Sequence, residues 1–198
     1  MSILPIYLFG TETLKKTARP VESLDDSVVR LMYDMFETMH EANGLGLAAT
    51  QVGDLRRVIT IDISDVTEPN AEGETESTLH PTSPDLPKTL ALINPEIVSE
   101  EGKWFMEEGC LSLPHLRGEV ERAEKIHVRF HNADFKEQEL SADGLLARVL
   151  LHELDHLNGI LFVDRISKTK RSMLLPKLRK IRKGEIEVDY PVVTAEEE

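Results

Sequence analysis

Apolar residues recur at helical spacing in two stretches of the chain. Over residues 24–42 they fall three or four positions apart and form one broad stripe, which predicts an amphipathic helix. Ser23 could cap this helix, and Asp26 is favourable in its first turn. We expect core packing for the whole stripe, including its methionines. The stripe comprises Val28, Leu31, Met32, Met35, Phe36 and Met39.

A second helix is predicted over residues 146–158, LARVLLHELDHLN. Asp143 before it and Gly159 after it are reasonable start and stop signals. Apolar residues at its beginning predict that it lies in the core. These residues are Leu145, Leu146, Val149 and Leu150.

Short β-rich or alternating stretches predict strands. The Asn94-Pro95 pair indicates an edge strand or a strand end, and residues 160–163 should form a short strand directly after the 146–158 helix. The other predicted strands are residues 57–63, 90–93, 96–99, 103–105 and 125–130. We therefore expect a single α+β domain, with short, mostly antiparallel strands around a central helix and with a C-terminal helix.

Three segments stand apart by composition within the 1–198 domain. Residues 64–89 are rich in Pro, Ser, Thr, Glu and Asp, which predicts a long, acidic, exposed loop. Residues 167–184 are basic and helical in pattern, although Pro176 should kink or split that helix. Residues 185–198 form an acidic tail.

The composition is that of an ordinary globular domain, with 198 residues, 40% of them hydrophobic and 30% charged. No run of 18 apolar residues occurs, so we expect no membrane span. The first residues lack the basic region of a secretory signal. A single cysteine excludes an intramolecular disulfide framework and fits a reducing compartment, so we expect a cytoplasmic protein.

The formal net charge of −13 should repel nucleic acid, and we expect no DNA partner. The charge is uneven, however, because residues 168–183 carry eight basic residues and no acidic one. Such a block is usually a solvated helix face, and the alternative is a docking surface for an anionic partner.

The 146–158 helix carries candidate metal ligands. His152 and His156 are four residues apart and project from the same face of a helix, as a metal ion bound by one rigid element requires. Glu153 is near enough to handle a proton on a water molecule at that metal. A histidine on an apolar helix is more often a satisfied core residue, however, and two ligands do not complete a site.

Cys110 is the natural third ligand, because the surrounding Glu-Glu-Gly-Cys-Leu-Ser is polar enough to be an exposed loop. A thiolate with two neutral imidazoles suits a borderline-soft divalent metal and leaves a fourth position open. The alternative is that Cys110 is a small buried hydrophobic residue.

The segment 44–51, GLGLAATQ, has little side-chain bulk, which suits close approach of a ligand or another chain. It is not a dinucleotide-binding fingerprint, because no strand precedes it and the third glycine is absent. Taken alone, it could be a simple turn.

Three motifs together resemble peptide deformylases: GLGLAATQ at 44–51, EGCLS at 108–112 and HELDH at 152–156, in this order and approximate spacing. The resemblance extends from Leu14 to about Ile166. It implies a metal-dependent hydrolase that removes the N-terminal formyl group from formyl-methionine of nascent polypeptides and releases formate.

The resemblance also implies residue roles. Cys110, His152 and His156 would hold one divalent metal ion, natively ferrous iron, although zinc, nickel or cobalt could occupy the site. Glu153 would be the general acid and base. The side chain of Gln51 and the backbone N–H of Leu111 would stabilise the oxyanion.

N-formyl-methionyl peptides would bind beside the metal. The expected walls of a methionine pocket are Leu45, Leu145, Val149 and His152, with Arg148 near its mouth. The peptide backbone could pair with Gly44, Gly46 and Leu111 as an added strand. The full set of expected substrate-binding residues is Gly44, Leu45, Gly46, Glu108, Leu145, Arg148 and Val149.

Two features concern the surroundings of the site. Asp155 is expected to face away from the metal and to pair with Arg122 as support for the ligands. Leu151 departs from the family pattern, which usually has glutamine there. The leucine loses a polar contact behind the site but removes no ligand, so we expect it to alter the properties of the metal site rather than metal binding itself.

The basic 168–183 segment gains a specific interpretation from the resemblance, because the C-terminal helix of related enzymes docks on the ribosome.

Two alternative functions also fit part of the sequence. A zinc-dependent peptidase would share the HExxH motif, but its third ligand typically lies downstream, whereas Cys110 lies upstream. A catalytically silent metal-binding or ribosome-associated protein usually lacks one of the motif residues, and all are intact here.

Overall fold

The computed structural model describes residues 2–66 and 85–198 of the chain. Most of the predicted 64–89 loop, residues 67–84, therefore lies outside the described residues. The helices and strands are β1 (Ile6–Tyr7), α1 (Asp26–Glu41), β2 (Gly46–Ala48), β3 (Val58–Asp62), β4 (Thr89–Glu101), β5 (Trp104–Cys110), β6 (Leu113–Arg122), β7 (Lys125–His131), β8 (Glu137–Asp143), α2 (Gly144–Leu157), α3 (Phe162–Arg165), α4 (Lys168–Arg182) and β9 (Val192–Val193).

A five-stranded antiparallel sheet forms the centre of the fold, in the order β2-β3-β4-β7-β8. Strands β5 and β6 form a separate antiparallel pair, and β1 pairs with β9 in parallel. β2 lies at one edge of the large sheet, so one side of its backbone faces away from the sheet.

Helices α1 and α2 pack on opposite faces of this sheet. Successive side chains of a strand point to opposite faces, and β3 follows this rule: Ile59 and Ile61 pack with α2, whereas Val58 packs with α1. Every residue of α2 is buried. A third apolar cluster joins α3 and α4 to β6. The expected single α+β domain around the HELDH helix, with a C-terminal helix, is confirmed.

Helix α1 begins where a capping side chain is available, but the cap is Asp25 rather than the expected Ser23. Asp25 Oδ1 accepts hydrogen bonds from the N–H groups of Ser27 and Val28, both at 2.9 Å. Two unpaired N–H groups of the first turn are thus satisfied. The methionines of the stripe are core residues as expected, and Met35 and Met39 are completely buried.

One strand prediction is wrong and a second is only partly confirmed. Residues 160–163 do not form a strand; they enter the short helix α3, where Asp164 Oδ2 accepts from Leu161 N–H at 3.1 Å and caps its first turn. Asn94-Pro95 does not end a strand, because β4 runs through it from Thr89 to Glu101, but it lies where the pairing of β4 with β3 stops, at Ile93. The register shifts between Ile93 and Glu96, and a bulge at this point tolerates proline because the ladder is locally unpaired.

The sequence pattern understates the β content. β5 runs on to Cys110, so this residue ends a strand rather than lying within a loop. β6 and β8 are rich in charged residues and were not predicted. Pro176 does not split α4, which runs unbroken through it. Within residues 2–66 and 85–198, the structure contains no helix both long and apolar enough to span a bilayer.

The end of α2 depends on a glycine. Gly159 has a left-handed backbone (φ +73°), and Ile160 N–H donates back to Asp155 O at 2.9 Å, which closes the helix. A Cβ at this position would also lie 2.4 Å from the carbonyl oxygen of Lys15. Both the backbone angle and the close neighbour require glycine here.

Replacing Gly159 by alanine should therefore destabilise the protein. The left-handed backbone alone should lower the free energy of unfolding by roughly 1–2 kcal/mol, and the contact with Lys15 should add to this. Urea unfolding of the metal-free protein measures the difference. Gly109→Ala is the matched control, because its Cβ would meet no heavy atom closer than 3.7 Å. Equal losses in both variants would contradict this explanation.

Candidate active site

Three ligand atoms from two elements converge at the centre of the molecule. Cys110 ends β5, and His152 and His156 lie one turn apart on α2. Cys110 Sγ is 3.2 Å from His156 Nε2, and the two Nε2 atoms are 3.3 Å apart. All three atoms lie within 4.8 Å of one another. The structure thus brings together the three residues that the sequence selects as ligands.

The spacing of these atoms tests whether a metal fits. Metal–nitrogen bonds of about 2.0–2.1 Å at tetrahedral angles place two nitrogens roughly 3.3–3.4 Å apart, and a nitrogen and a thiolate roughly 3.6 Å apart. The observed distances are close to these values. Two imidazole lone pairs facing each other at 3.3 Å also repel unless a cation or proton lies between them. The donor set therefore fits a divalent metal.

The orientation of His152 is fixed from behind by Glu108. His152 Nδ1 lies 2.9 Å from Glu108 Oε2. Because the carboxylate accepts, Nδ1 donates, and the lone pair is left on Nε2, which faces Cys110 and His156. This is the usual arrangement behind metal-binding histidines.

Glu108 is in turn the centre of a buried ion cluster. Arg122 donates hydrogen bonds to both of its oxygens through Nε and Nη2, and Arg148 Nη1 donates to it at 2.9 Å. Burial by itself would raise the pKa of Glu108, but hydrogen bonds from Arg122 and His152 outweigh burial and hold that pKa well below its usual range. Glu108 is thus an anion in the folded protein.

These contacts correct the expected position of Arg148. It does not lie at the mouth of a pocket, because it is only 2% exposed. Its guanidinium donates to Glu108, to Val120 O at 3.1 Å and to Trp104 O at 3.0 Å, and it lies 4.5 Å from the Trp104 ring centre. Arg148 and Glu108 both line the cleft, but the two Nη atoms of Arg148 donate to Glu108 and to backbone carbonyls.

The expected contact between Arg122 and Asp155 is present. Arg122 Nη1 donates to Asp155 Oδ2 at 2.7 Å and to Leu151 O at 3.2 Å. Arg165 also binds Asp155, a contact that the sequence did not suggest. The Leu151 side chain packs in the apolar cluster between α2 and the sheet. The leucine therefore sits in an apolar environment, and it leaves no polar group of its own unpaired.

Glu153 is a buried carboxyl beside the three ligands. It is 3% exposed, and its Oε2 has no hydrogen-bond partner among the described residues. Burial raises the pKa of Glu153 to about 7. A Cβ on Gly46 would lie 2.5 Å from Glu153 Oε1, so only glycine allows β2 to pass this close to the carboxyl.

Two N–H donors lie beside Cys110. Gln51 Oε1 accepts from Ala48 N–H at 2.9 Å, which turns the amide nitrogen toward Ser112 Oγ at 3.2 Å and Cys110 Sγ at 3.7 Å. The backbone N–H of Leu111 has no recorded acceptor in the described part of the chain. Both donors were expected from the resemblance, and both adjoin the three candidate ligands.

A cleft of about 860 Å³ opens onto these groups. One wall is the segment leading into edge strand β2, and another is β5. All seven residues expected to bind substrate line it: Gly44, Leu45, Gly46, Glu108, Leu145, Arg148 and Val149.

Sequence reasoning missed a third wall of the cleft. Leu174 and Lys177 of α4 and the tail segment 187–190 also line it. Tyr190 Oη donates to Leu111 O at 2.8 Å. The sequence offered one signal for this wall, which is that Tyr190 is an aromatic residue in an acidic tail. This signal does not show which part of the domain the tail packs against.

Comparison with known proteins agrees with the geometry. The family model described as polypeptide deformylase matches residues 3–172. The peptide deformylase of Salinibacter ruber is 44% identical over 198 residues, covering 99% of this chain and 97% of that protein. The peptide deformylase of Chlorobium phaeovibrioides is 42% identical over 193 residues, covering 98% and 94%.

Solved structures give the same result. A crystal structure of a peptide deformylase from Legionella pneumophila superposes with a TM-score of 0.77 at 40% identity, covering 93% of this chain and 98% of that one. Peptide deformylase from Ehrlichia chaffeensis in complex with actinonin gives a TM-score of 0.78 at 36% identity, covering 94% and 100%. The chain therefore belongs to the polypeptide deformylase family, the metal-dependent hydrolases that remove the N-terminal formyl group from nascent polypeptides.

Proposed function

We propose that Cys110, His152 and His156 hold ferrous iron in this chain and that Glu153 moves the protons of the deformylation reaction. The observation that carries this assignment is the convergence of one sulfur and two imidazole nitrogens within 4.8 Å, beside a buried carboxyl. The donor set accepts several divalent metals, zinc, nickel and cobalt among them. The choice of iron rests on the resemblance to the family.

When bound, the metal supplies Lewis acidity, which polarises a carbonyl group and makes water acidic near neutral pH. Glu153 then serves as the proton acceptor for the attacking water and as the donor to the departing amine. Its burial favours both roles, because a pKa of about 7 lets the carboxyl gain and lose a proton near neutrality.

The Gln51 amide and the Leu111 N–H are proposed to bind the oxyanion of the tetrahedral intermediate. The Gln51 side chain is already oriented by Ala48 N–H, so little reorganisation is needed during the reaction. A free backbone N–H at Leu111 supplies the second donor.

Peptide substrate is proposed to lie along the open edge of β2. Main-chain pairing at a sheet edge supplies affinity without regard to side chains, so recognition beyond methionine should be permissive. Gly44 and Gly46 let this segment pack closely beside the site, since a Cβ on Gly44 would meet Leu111 Cδ1 at 2.8 Å and one on Gly46 would meet Glu153 Oε1 at 2.5 Å. Leu45, Leu145 and Val149 form the apolar wall for the methionine side chain.

The basic segment 168–183 is proposed to dock on the ribosome, which places the enzyme in the cytoplasm beside its substrates. Within the described part of the chain, five of its eight basic residues make no ion pair and are exposed. Unpaired surface cations suit ribosomal RNA, because phosphate binding releases counterions. These five residues are Lys168, Lys177, Arg179, Lys180 and Arg182.

Glu153→Gln should abolish formate release while leaving metal binding intact. General acid–base catalysis contributes roughly 10²–10⁴-fold, and a glutamine cannot exchange the proton. Formate produced from an N-formyl-Met tripeptide is measured with protein loaded anaerobically with ferrous iron. Glu100→Gln, a change at an exposed carboxylate of β4, is the control. Full activity in Glu153→Gln would exclude the assigned base.

Cys110→Ser should remove the metal site. A serine hydroxyl is a much weaker ligand than a thiolate for a borderline-soft metal, so metal content should fall well below one ion per chain. Cobalt-loaded wild-type protein should show thiolate-to-cobalt charge-transfer absorption that the variant lacks. Unfolding of the metal-free forms should differ little and serves as the folding control. A variant that retained both the absorption and the metal would refute Cys110 as a ligand.

Replacing Lys177, Arg179, Lys180 and Arg182 by glutamate should weaken cosedimentation with ribosomes, most clearly at low salt. The matched control replaces four exposed basic residues outside α4 by glutamate. These residues are Lys103, Lys125, Arg129 and Lys136. If both variants cosediment equally well, or lose binding equally, helix α4 is not the docking surface.

A further inference from the structure

The tail that follows α4 is fixed to the rest of the domain. β9 pairs with β1, and Leu8 N–H donates to Val193 O at 2.9 Å. A second tether lies upstream, where His115 Nε2 is 2.9 Å from Glu187 O. Between these two points, residues 187–190 line the cleft. The tail residues that make these contacts lie beyond residue 172, where the match to the family model ends.

Tyr190 joins this part of the tail to the loop of residues 110–112 by a hydrogen bond. Its Oη donates to Leu111 O at 2.8 Å. Burial raises the pKa of Tyr190 to about 12, so the phenol stays neutral and remains a donor at physiological pH.

The loop of residues 110–112 carries both a metal ligand and an oxyanion donor. Its far end is held at Ser112, where Phe9 N–H donates to the carbonyl at 2.9 Å and Gln51 Nε2 donates to the hydroxyl at 3.2 Å. In the middle of the loop, the Tyr190 hydroxyl is the one hydrogen-bond partner recorded for the Leu111 backbone within residues 2–66 and 85–198.

We propose that Tyr190 is a positioning residue for deformylation, which orients the Leu111 backbone through the hydrogen bond to Leu111 O. The inference rests on the proposed role of Leu111 N–H as an oxyanion donor. A donor accelerates the reaction only if it is already aimed at the position that the oxyanion will occupy. Tyr190 acts through Leu111 and has no contact with the reacting atoms in this role.

Tyr190→Phe tests the proposal because it removes only the hydroxyl and keeps the ring. With iron-loaded protein and an N-formyl-Met tripeptide, kcat should fall about tenfold while KM changes less than twofold. The loss should be smaller than the roughly hundredfold effect of deleting a donor outright. Metal content should stay at one ion per chain.

A second readout does not depend on activity. Hydrogen exchange of the metal-free protein, followed by mass spectrometry, should be faster in peptides covering residues 106–113 of Tyr190→Phe and unchanged in α2. Tyr33→Phe is the matched control, because it also removes a tyrosine hydroxyl. Tyr33 lies on α1 and is 59% exposed. This control should match wild type in both measurements.

Wild-type kcat in Tyr190→Phe would overturn the proposal, and so would a raised KM with unchanged kcat, which would assign Tyr190 to substrate binding. Failure of the proposed function itself has a different signature. In that case the wild-type protein releases no formate at all, whereas the exchange difference between wild type and Tyr190→Phe persists.

Discussion

The site depends on one buried carboxylate that is shared between two guanidinium groups and a histidine. Glu108 comes from β5, Arg122 from the end of β6, and Arg148 and His152 from α2. A buried ion cluster contributes little net stability over an apolar core, but removing one partner typically costs roughly 3–5 kcal/mol. The cluster therefore fixes the register between the strand pair and the helix, and so sets where the Cys110 sulfur meets the two imidazoles.

The second constraint on the site is the close approach of the β2 backbone to the buried carboxyl of Glu153. Gly46 brings the edge of the sheet against Glu153, whose pKa is raised because the surrounding elements exclude water. The same approach opens the strand edge directly beside the ligands. In the proposed mechanism, recognition of the peptide and handling of its protons thus share one short stretch of chain.

The three candidate ligands could be selected from the sequence because their chemistry is encoded locally. The spacing of His152 and His156 on one helix, and a lone cysteine in a polar motif, are visible without a fold. Strand boundaries were harder to predict, because Asn94-Pro95 lies at a bulge where β4 stops pairing with β3 and continues along β7. β6 and β8 were missed because many of their residues are charged. Arg148 and Tyr190 could not be placed, since their partners Glu108 and Leu111 are distant in sequence and only the tertiary fold brings them together.

The open edge of β2 also bears on solubility. An exposed strand edge presents unpaired N–H and C=O groups and can recruit another chain into continuous sheet, a route to aggregation. β2 spans only Gly46–Ala48, and it is immediately followed by a tight helical turn at Ala49–Val52. An edge of three residues can accept a short extended peptide but offers too little length to nucleate pairing between copies.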